Sequence, residues 1–256
     1  MDRPSREPAL NADPAAQARL LDLQADDTRL SQIAHRRRTL PEAAALAELD
    51  ERIQRNADEL VAAETIASDL QAELDRSEAD VEQVRERSRR DRELLDSGSI
   101  GDPKQLQSLQ HELQSLARRQ SELEDVELEI MERVEGAGAA VTHLAAERDA
   151  LQGERAMLAA TVERLVGELD AEQAGVEADR ADVAAQLPAD LLALYEKIRA
   201  DHSGVGAAHL HRGSCQGCRL ELPPNELERL RAAAPDEIVR CEECRRILVR
   251  TPESGL

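Results

Sequence analysis

Four cysteines are the side chains in this sequence whose spacing predicts a specific chemistry. They form two Cys-x-x-Cys pairs, and 22 residues separate the last cysteine of the first pair from the first cysteine of the second. Two such pairs supply four thiolates, the ligand set of a tetrahedral zinc ion with Zn–S bonds of about 2.3 Å. Two disulfides or a redox pair are the alternatives. The predicted zinc ligands are Cys215, Cys218, Cys241 and Cys244.

The expected compartment favours metal binding over both alternatives. The first 20 residues contain no apolar run followed by a small-residue cleavage site, and no stretch approaches the roughly 18 apolar residues of a membrane span. We therefore expect a cytoplasmic protein without membrane contact, in which paired thiols stay reduced. A thioredoxin-like redox pair would accompany a βαβ pattern, which this sequence lacks.

The predicted zinc ion is structural, because four thiolates leave no coordination position for water or substrate. We expect one Zn²⁺ ion per chain. The segment between the pairs predicts a short helix, with Pro223 and Pro224 before it and Pro235 after it. Just upstream, His209 and His211 are either spare metal ligands or alternating positions of a strand.

The composition predicts long packed helices rather than a large globular core. The 256 residues include one Tyr and neither Phe nor Trp, although aromatic side chains normally dominate core burial. The net charge of −20 argues against binding nucleic acid or anionic membranes through bulk charge. Residues 204–250 carry eight arginines and seven acidic residues and are close to neutral. Common catalytic sequence motifs are absent, so we predict that the protein is not an enzyme.

Apolar residues recur at alternating steps of three and four through most of the chain. One register runs from Leu46 to Leu95 and a second from Leu106 to Val183. Repeats sustained over this many heptads are typical of a coiled coil. The break between the registers, near residues 97–103, is rich in serine, glycine and proline, so the chain reverses there. The simplest structure is an antiparallel helical hairpin.

The predicted fold class is therefore mainly α: a long antiparallel coiled-coil hairpin with a small C-terminal four-cysteine zinc ribbon of short β-strands and one short helix. Proline 41 breaks the first arm, which predicts one helix from about Pro14 to Arg38 and another from Pro41 to Asp96. Asp102 is the predicted cap of the next helix.

The predicted division of the chain follows from these signals. The hairpin occupies residues 1–200, with its tip near 97–103, a break near 41 and a short helix at 188–200, and the zinc ribbon occupies residues 204–251.

Two arginine clusters are candidate contact surfaces for a partner. Arg89 and Arg90 lie near the hairpin tip, and Arg245 and Arg246 follow the last cysteine. Solvated faces paired with carboxylates would look the same in the sequence. We predict an interaction protein with a protein partner, for which a transcription-related protein is one candidate. Nucleic acid bound through the ribbon is a second candidate, although stacking aromatics are absent. A passive coiled-coil scaffold is the alternative to both.

Three stretches resemble a bacterial family of coiled-coil proteins with a C-terminal four-cysteine zinc ribbon. They are DPKQLQSLQHELQSLARRQSELEDVELEIME after the turn, LPADLLALYEKIR before the ribbon, and CQGC with IVRCEECRRILVR inside it. The resemblance implies an elongated hairpin, a ribbon zinc on the four cysteines, and a non-catalytic role. Members of the family act as chaperones of an alternative sigma factor, as ligands of secretion or flagellar components, or as RNA binders. Many members carry glycine where this chain has Arg245.

Overall fold

Four helices make up most of the chain. The computed structural model describes residues 10–256 and contains α1 (Pro14–Arg38), α2 (Pro41–Asp96), α3 (Pro103–Ala185) and α4 (Ala189–Asp201). The bounds of α1 and α2 are those that the prolines predicted. The side chain of Asp102 accepts the Lys104 N–H at 2.9 Å and caps α3, as expected. None of the helices in residues 10–256 has the length and apolar composition needed to cross a membrane.

A small mixed sheet with one helix forms the C-terminal ribbon. The elements are β1 (Ala207–His211), β2 (Ser214–Cys215), α5 (Pro224–Ala232), β3 (Val239–Arg240) and β4 (Ile247–Val249). The strands pair in the order β2-β1-β4-β3; β1 and β4 are parallel, and the two outer pairings are antiparallel. A 3₁₀ helix, Pro252–Ser254, follows the last strand. Together with the helices, this arrangement confirms the predicted fold class.

Within residues 44–160, which form one compact unit, α2 and α3 run antiparallel. Ion pairs between the two helices show the antiparallel direction, because residues early in α2 pair with residues late in α3. Asp50 pairs with Arg155, Glu73 with Arg133, and Arg85 with Glu124. These pairs are solvent-exposed and contribute little to stability. The buried apolar positions carry the packing: Leu49, Leu60, Leu70, Leu74 and Val81 on α2, with Leu123, Ile130 and Leu151 on α3.

Polar residues interrupt this apolar seam on α2 at Asn56, Ser77 and Ser88, all of which are buried. Asn56 is buried on α2, and its Nδ2 donates to the Leu144 carbonyl of α3 at 3.3 Å. A buried asparagine in a coiled coil lowers stability but specifies the register, because sliding the helices would leave its amide without a partner.

A second compact unit combines α1, the end of α3, α4 and the ribbon. The packing therefore groups the ribbon with these helices, and the predicted division into residues 1–200 and 204–251 stays a prediction. The ribbon sheet buries both faces. On one face, Ala207, Ile247 and Val249 pack in a cluster that includes α1 and α4. On the other face, Ala208 and Leu248 pack in a cluster that includes α5 and the cysteines.

A buried carboxylate joins three helices in this second unit. Asp27 of α1 has a fully buried side chain. It accepts hydrogen bonds from the Tyr195 hydroxyl of α4 at 2.6 Å and from Nε of Arg180 on α3 at 2.7 Å, and it forms an ion pair with Arg199 at 2.9 Å. Burial, and then the hydrogen bond to Asp27, raise the pKa of Tyr195, so its hydroxyl remains a donor.

Gln24, one turn before Asp27 on α1, fastens the start of the ribbon. Its Oε1 accepts the Gly206 N–H at 2.7 Å, and its Nε2 donates to the Gly204 carbonyl at 3.0 Å. The segment leading into β1 is therefore hydrogen-bonded to the same helix that carries Asp27.

The substitution Asp27→Ala should destabilise this unit by about 3–5 kcal/mol, because it leaves a buried hydroxyl and two half-buried guanidinium groups without their shared carboxylate. Tyr195 is the chain's single tyrosine, and there is no tryptophan. Tyrosine fluorescence during urea unfolding therefore reports on this core. Asp22→Ala, at an exposed position of the same helix, is the control and should change stability by less than about 0.5 kcal/mol. Equal effects of the two substitutions would show that the network contributes nothing.

Candidate metal centre

The four cysteine sulfurs converge on one point of the ribbon. All four lie within 4.8 Å of one another. The Sγ atoms of Cys215 and Cys244 are 3.7 Å apart, and those of Cys218 and Cys241 are 3.9 Å apart. A regular tetrahedron with Zn–S bonds of about 2.3 Å has vertices about 3.8 Å apart. A disulfide would need about 2.05 Å. The cluster therefore fits a zinc ion with four protein ligands and not a pair of disulfides.

Two similar backbone turns, knuckle 1 (residues 215–220) and knuckle 2 (residues 241–246), hold the cysteines. In each, the N–H of the residue after the second cysteine donates to the carbonyl of the first: Arg219 to Cys215 at 2.7 Å, and Arg245 to Cys241 at 2.9 Å. The N–H of each first cysteine donates to the carbonyl five residues later, at 3.0 Å in both knuckles. Because the two knuckles share these hydrogen bonds, their backbones orient the two cysteine side chains of each pair in the same way.

Burial and hydrogen bonding shift the pKa values of Cys215, Cys241 and Cys244. Burial raises the pKa of Cys215, and burial also raises the pKa of Cys241 to about 11. Burial acts in the same direction on Cys244, but hydrogen bonds, including one from the Arg246 backbone, outweigh it and lower the pKa of that thiol. Zinc binds thiolates, so metal binding releases protons from this cluster.

Close packing explains the glycine of knuckle 1. A Cβ atom on Gly217 would lie 2.9 Å from Cδ of Arg246 and 3.0 Å from Cβ of Ala208. Any larger residue would push knuckle 1 away from β1. Arg246 itself is half-buried and donates to the carbonyls of Val205 at 3.1 Å and His202 at 3.2 Å. Arg246 therefore ties knuckle 2 to the segment that precedes β1.

Two residues that sequence reasoning missed complete the support of the site. Glu226 of α5 is buried, and its Oε1 accepts the Glu242 N–H inside knuckle 2 at 3.1 Å. Arg250 donates to the carbonyls of Ala234 at 2.7 Å and Glu237 at 2.8 Å, which lie just after α5. Neither residue carries a local sequence signal, because both partners are distant in the chain.

The structure gives the predicted contact arginines different surroundings. Arg245 is exposed, whereas the internal hydrogen bonds of Arg246 occupy its guanidinium. At the hairpin tip, Arg89 pairs with Glu86 at 2.7 Å on its own helix, and Arg90 is exposed. As partner contacts, all four stay predictions.

The two histidines upstream of the cysteines lie outside the cluster. Ala208 and Leu210 of β1 pack with the cysteines. Neighbouring side chains along a strand point to opposite faces, so His209 and His211 lie on the face away from the sulfurs. They occupy alternating strand positions and are not spare ligands of this site.

Comparison with known protein families matches both parts of the chain. Residues 23–203 match the CT398-like coiled coil hairpin domain, and residues 214–248 match a C4-type zinc ribbon domain. The chain belongs to the CT398-like coiled-coil hairpin family. With the sulfur geometry, the ribbon match makes it a zinc-binding protein whose single structural zinc belongs to the four-cysteine site. Neither matched family is catalytic in its description.

Mycobacterial proteins are among the similar sequences and structures. An uncharacterized protein of Mycobacterium tuberculosis is 42% identical, with 94% of this chain and 98% of that protein covered. One from Mycobacterium leprae is 33% identical over 85% and 93% of the two chains. A structurally characterized Mycobacterium smegmatis protein has 36% identity and a TM-score of 0.83, covering 94% of this chain and 100% of that one.

A more distant structure shows the fold alone. CT398 from Chlamydia trachomatis has 15% identity and a TM-score of 0.66, with 91% of this chain and 97% of that chain covered. The same fold is therefore built from a largely different sequence.

Purified protein should contain one zinc ion per chain, and Cys215→Ser with Cys218→Ser should remove it. Structural zinc contributes roughly 10–16 kcal/mol in small modules. Hydrogen exchange should then rise throughout residues 204–250, while α2 and its partner stretch of α3 stay protected. Gln216→Ser, an exposed change between the same cysteines, should keep both zinc and protection. A zinc-free ribbon that remains protected would contradict the assignment.

Arg245→Gly should stabilise knuckle 2. Arg245 has a φ of 59°, in the left-handed region, which costs a non-glycine residue roughly 1–2 kcal/mol. We expect a gain of about 1 kcal/mol over Arg245→Ala, which keeps the strain while removing the same side chain. Native-state hydrogen exchange of the ribbon measures the difference. Equal stability of the glycine and alanine variants would show that the backbone is unstrained here.

Proposed function

We propose that the protein is a non-catalytic adaptor that binds a protein partner through the surface of its zinc knuckles. The observation that carries the proposal is a pair of exposed arginines, Arg219 and Arg245, at equivalent positions of the two knuckles. Their φ angles are 62° and 59°. Glycine would adopt this conformation without strain, so arginine at both positions costs stability. Strain of this kind concentrates at functional sites.

An exposed apolar side chain adjoins the first of these arginines. Leu220 is 50% exposed. We name Arg219, Leu220 and Arg245 the knuckle surface. Arginines beside apolar area are typical of protein interfaces, where arginine is enriched and the apolar part is buried on binding. The knuckle surface therefore favours a partner that offers carboxylates next to an apolar contact.

Nucleic acid is the weaker candidate for this surface. The ribbon is nearly neutral, the chain as a whole carries a net charge of −20, and it contains no Phe or Trp for base stacking. RNA or DNA binding stays a prediction, as does a transcription-related partner. A passive scaffold would not need arginine at two strained positions, which argues against that alternative.

The hairpin tip is less favourable as the main contact surface. Arg89 lies between Glu86 and Glu93 of its own helix, so part of its charge is compensated there. The cytoplasm remains the proposed location, because four thiols that bind zinc suit a reducing compartment.

The proposal predicts that charge reversal on the knuckle surface weakens partner binding. We expect Arg219→Glu with Arg245→Glu to weaken binding at least about tenfold, because each reversal turns an attraction into a repulsion at the interface centre. Cross-linking in a nuclease-treated native extract identifies the partner, and its affinity is then measured with purified proteins. Zinc content of the variant checks that the ribbon is intact.

Two matched variants make this test decisive. Arg89→Glu with Arg90→Glu reports on the tip, and Arg52→Glu with Arg76→Glu makes the same charge change at exposed positions elsewhere on α2. Both should leave binding unchanged. Loss of binding through the tip pair alone would move the contact to the hairpin, and a complex that nuclease destroys would establish nucleic acid as the ligand.

A further inference from the structure

Two histidine rings lie side by side on β1, on the sheet face away from the cysteines. His209 and His211 are both half-buried, and their ring centroids are 5.7 Å apart. Imidazole nitrogen is the commonest protein ligand of transition metals. Two such rings at alternate positions of one strand already supply half of a four-coordinate site.

A carboxylate from a distant part of the chain completes the group. Glu253 belongs to the 3₁₀ helix after β4, and its Oε2 lies 3.7 Å from Nδ1 of His211. One ligand atom from each of the three residues lies within 4.8 Å of the other two. In a tetrahedral site, bonds of 2.0–2.2 Å would require donor atoms about 3.4 Å apart. Glu253 is 70% exposed, so its side chain is free to close the remaining distance.

Hydrogen bonds hold the three residues in place before any metal binds. The N–H groups of Arg212 and Gly213 donate to the carbonyls of Glu253 at 3.0 Å and Ser254 at 2.9 Å, which fastens the 3₁₀ helix to the end of β1. The Thr251 hydroxyl lies 2.6 Å from Nε2 of His209 and orients that ring. Supporting hydrogen bonds of this kind orient first-sphere ligands in metal sites.

We propose that His209, His211 and Glu253 form a second metal site, for a divalent transition-metal ion. Two imidazoles and one carboxylate suit Zn²⁺, Co²⁺ or Ni²⁺ and leave coordination positions open to water. The site is partly exposed and has one ligand fewer than the cysteine site, so it binds metal more weakly and exchanges it with solvent. It is independent of the knuckle surface and of the proposed partner.

Titration of the zinc-loaded, full-length protein with Co²⁺ tests the proposal. Calorimetry should show one Co²⁺ bound per chain, without a thiolate-to-cobalt absorption band and without release of the ribbon zinc. Loss of one of three protein ligands should weaken this binding at least about tenfold, so we expect that effect from both His211→Gln and Glu253→Gln. Glu253 is exposed, so its substitution leaves the fold intact even if His211→Gln disturbs β1.

Matched controls use the same substitutions at exposed positions away from the site. His143→Gln on α3 and Glu228→Gln on α5 should bind Co²⁺ as the unmodified protein does. Three results would overturn the proposal. They are no Co²⁺ binding beyond the ribbon zinc, a thiolate band with matching zinc release, and equal affinity in the site variants and the controls.

Discussion

The convergence of four cysteine sulfurs is the constraint on which the ribbon depends. Its strands are two to five residues long, and no Phe or Trp is available to build a core around them. Elements this short cannot offset their own ordering entropy by burial alone. A metal ion that joins knuckle 1 to knuckle 2 supplements the small apolar core, because its binding energy becomes folding energy. The repeated hydrogen-bond pattern of the knuckles shows that a turn of six residues is enough to hold two thiols at a fixed spacing.

The ribbon sheet transmits that constraint to the helices. One sheet face closes over the cysteines, and the other packs with α1 and α4, so alternate residues of β1 belong to two different cores. Asp27 and Gln24 reinforce the second contact from a single helix. A buried carboxylate is costly unless it is paired and hydrogen-bonded. Here the Tyr195 hydroxyl and the Arg180 guanidinium donate to it, and Arg199 forms an ion pair with it. The single tyrosine of the chain thus works as a hydrogen-bond donor at the meeting point of three helices.

The surface of the ribbon separates two kinds of chemistry. Arginine side chains project from the knuckles at backbone positions that glycine would occupy without strain, whereas the imidazoles stand on the opposite face of β1. Residues that are adjacent in the sequence therefore have different roles. Arg245 is exposed and can contact a partner, whereas the guanidinium of Arg246 donates to carbonyls of the segment before β1. The charge pattern of the sequence cannot distinguish these two arginines, because the difference depends on which backbone carbonyls lie within hydrogen-bonding distance of each guanidinium in the fold.

Local patterns in the sequence alone determined the zinc ligands, the heptad registers, the helix ends at Pro41 and Pro103, and the short helix between the cysteine pairs. Each depends on spacing or on the backbone limits of proline, which act over a few residues. Only the tertiary structure decided the burial of Asp27 among 53 acidic residues, the internal role of Arg246, and the meeting of Glu253 with histidines more than 40 positions earlier. These depend on contacts between distant segments, for which a single sequence has no periodic signal.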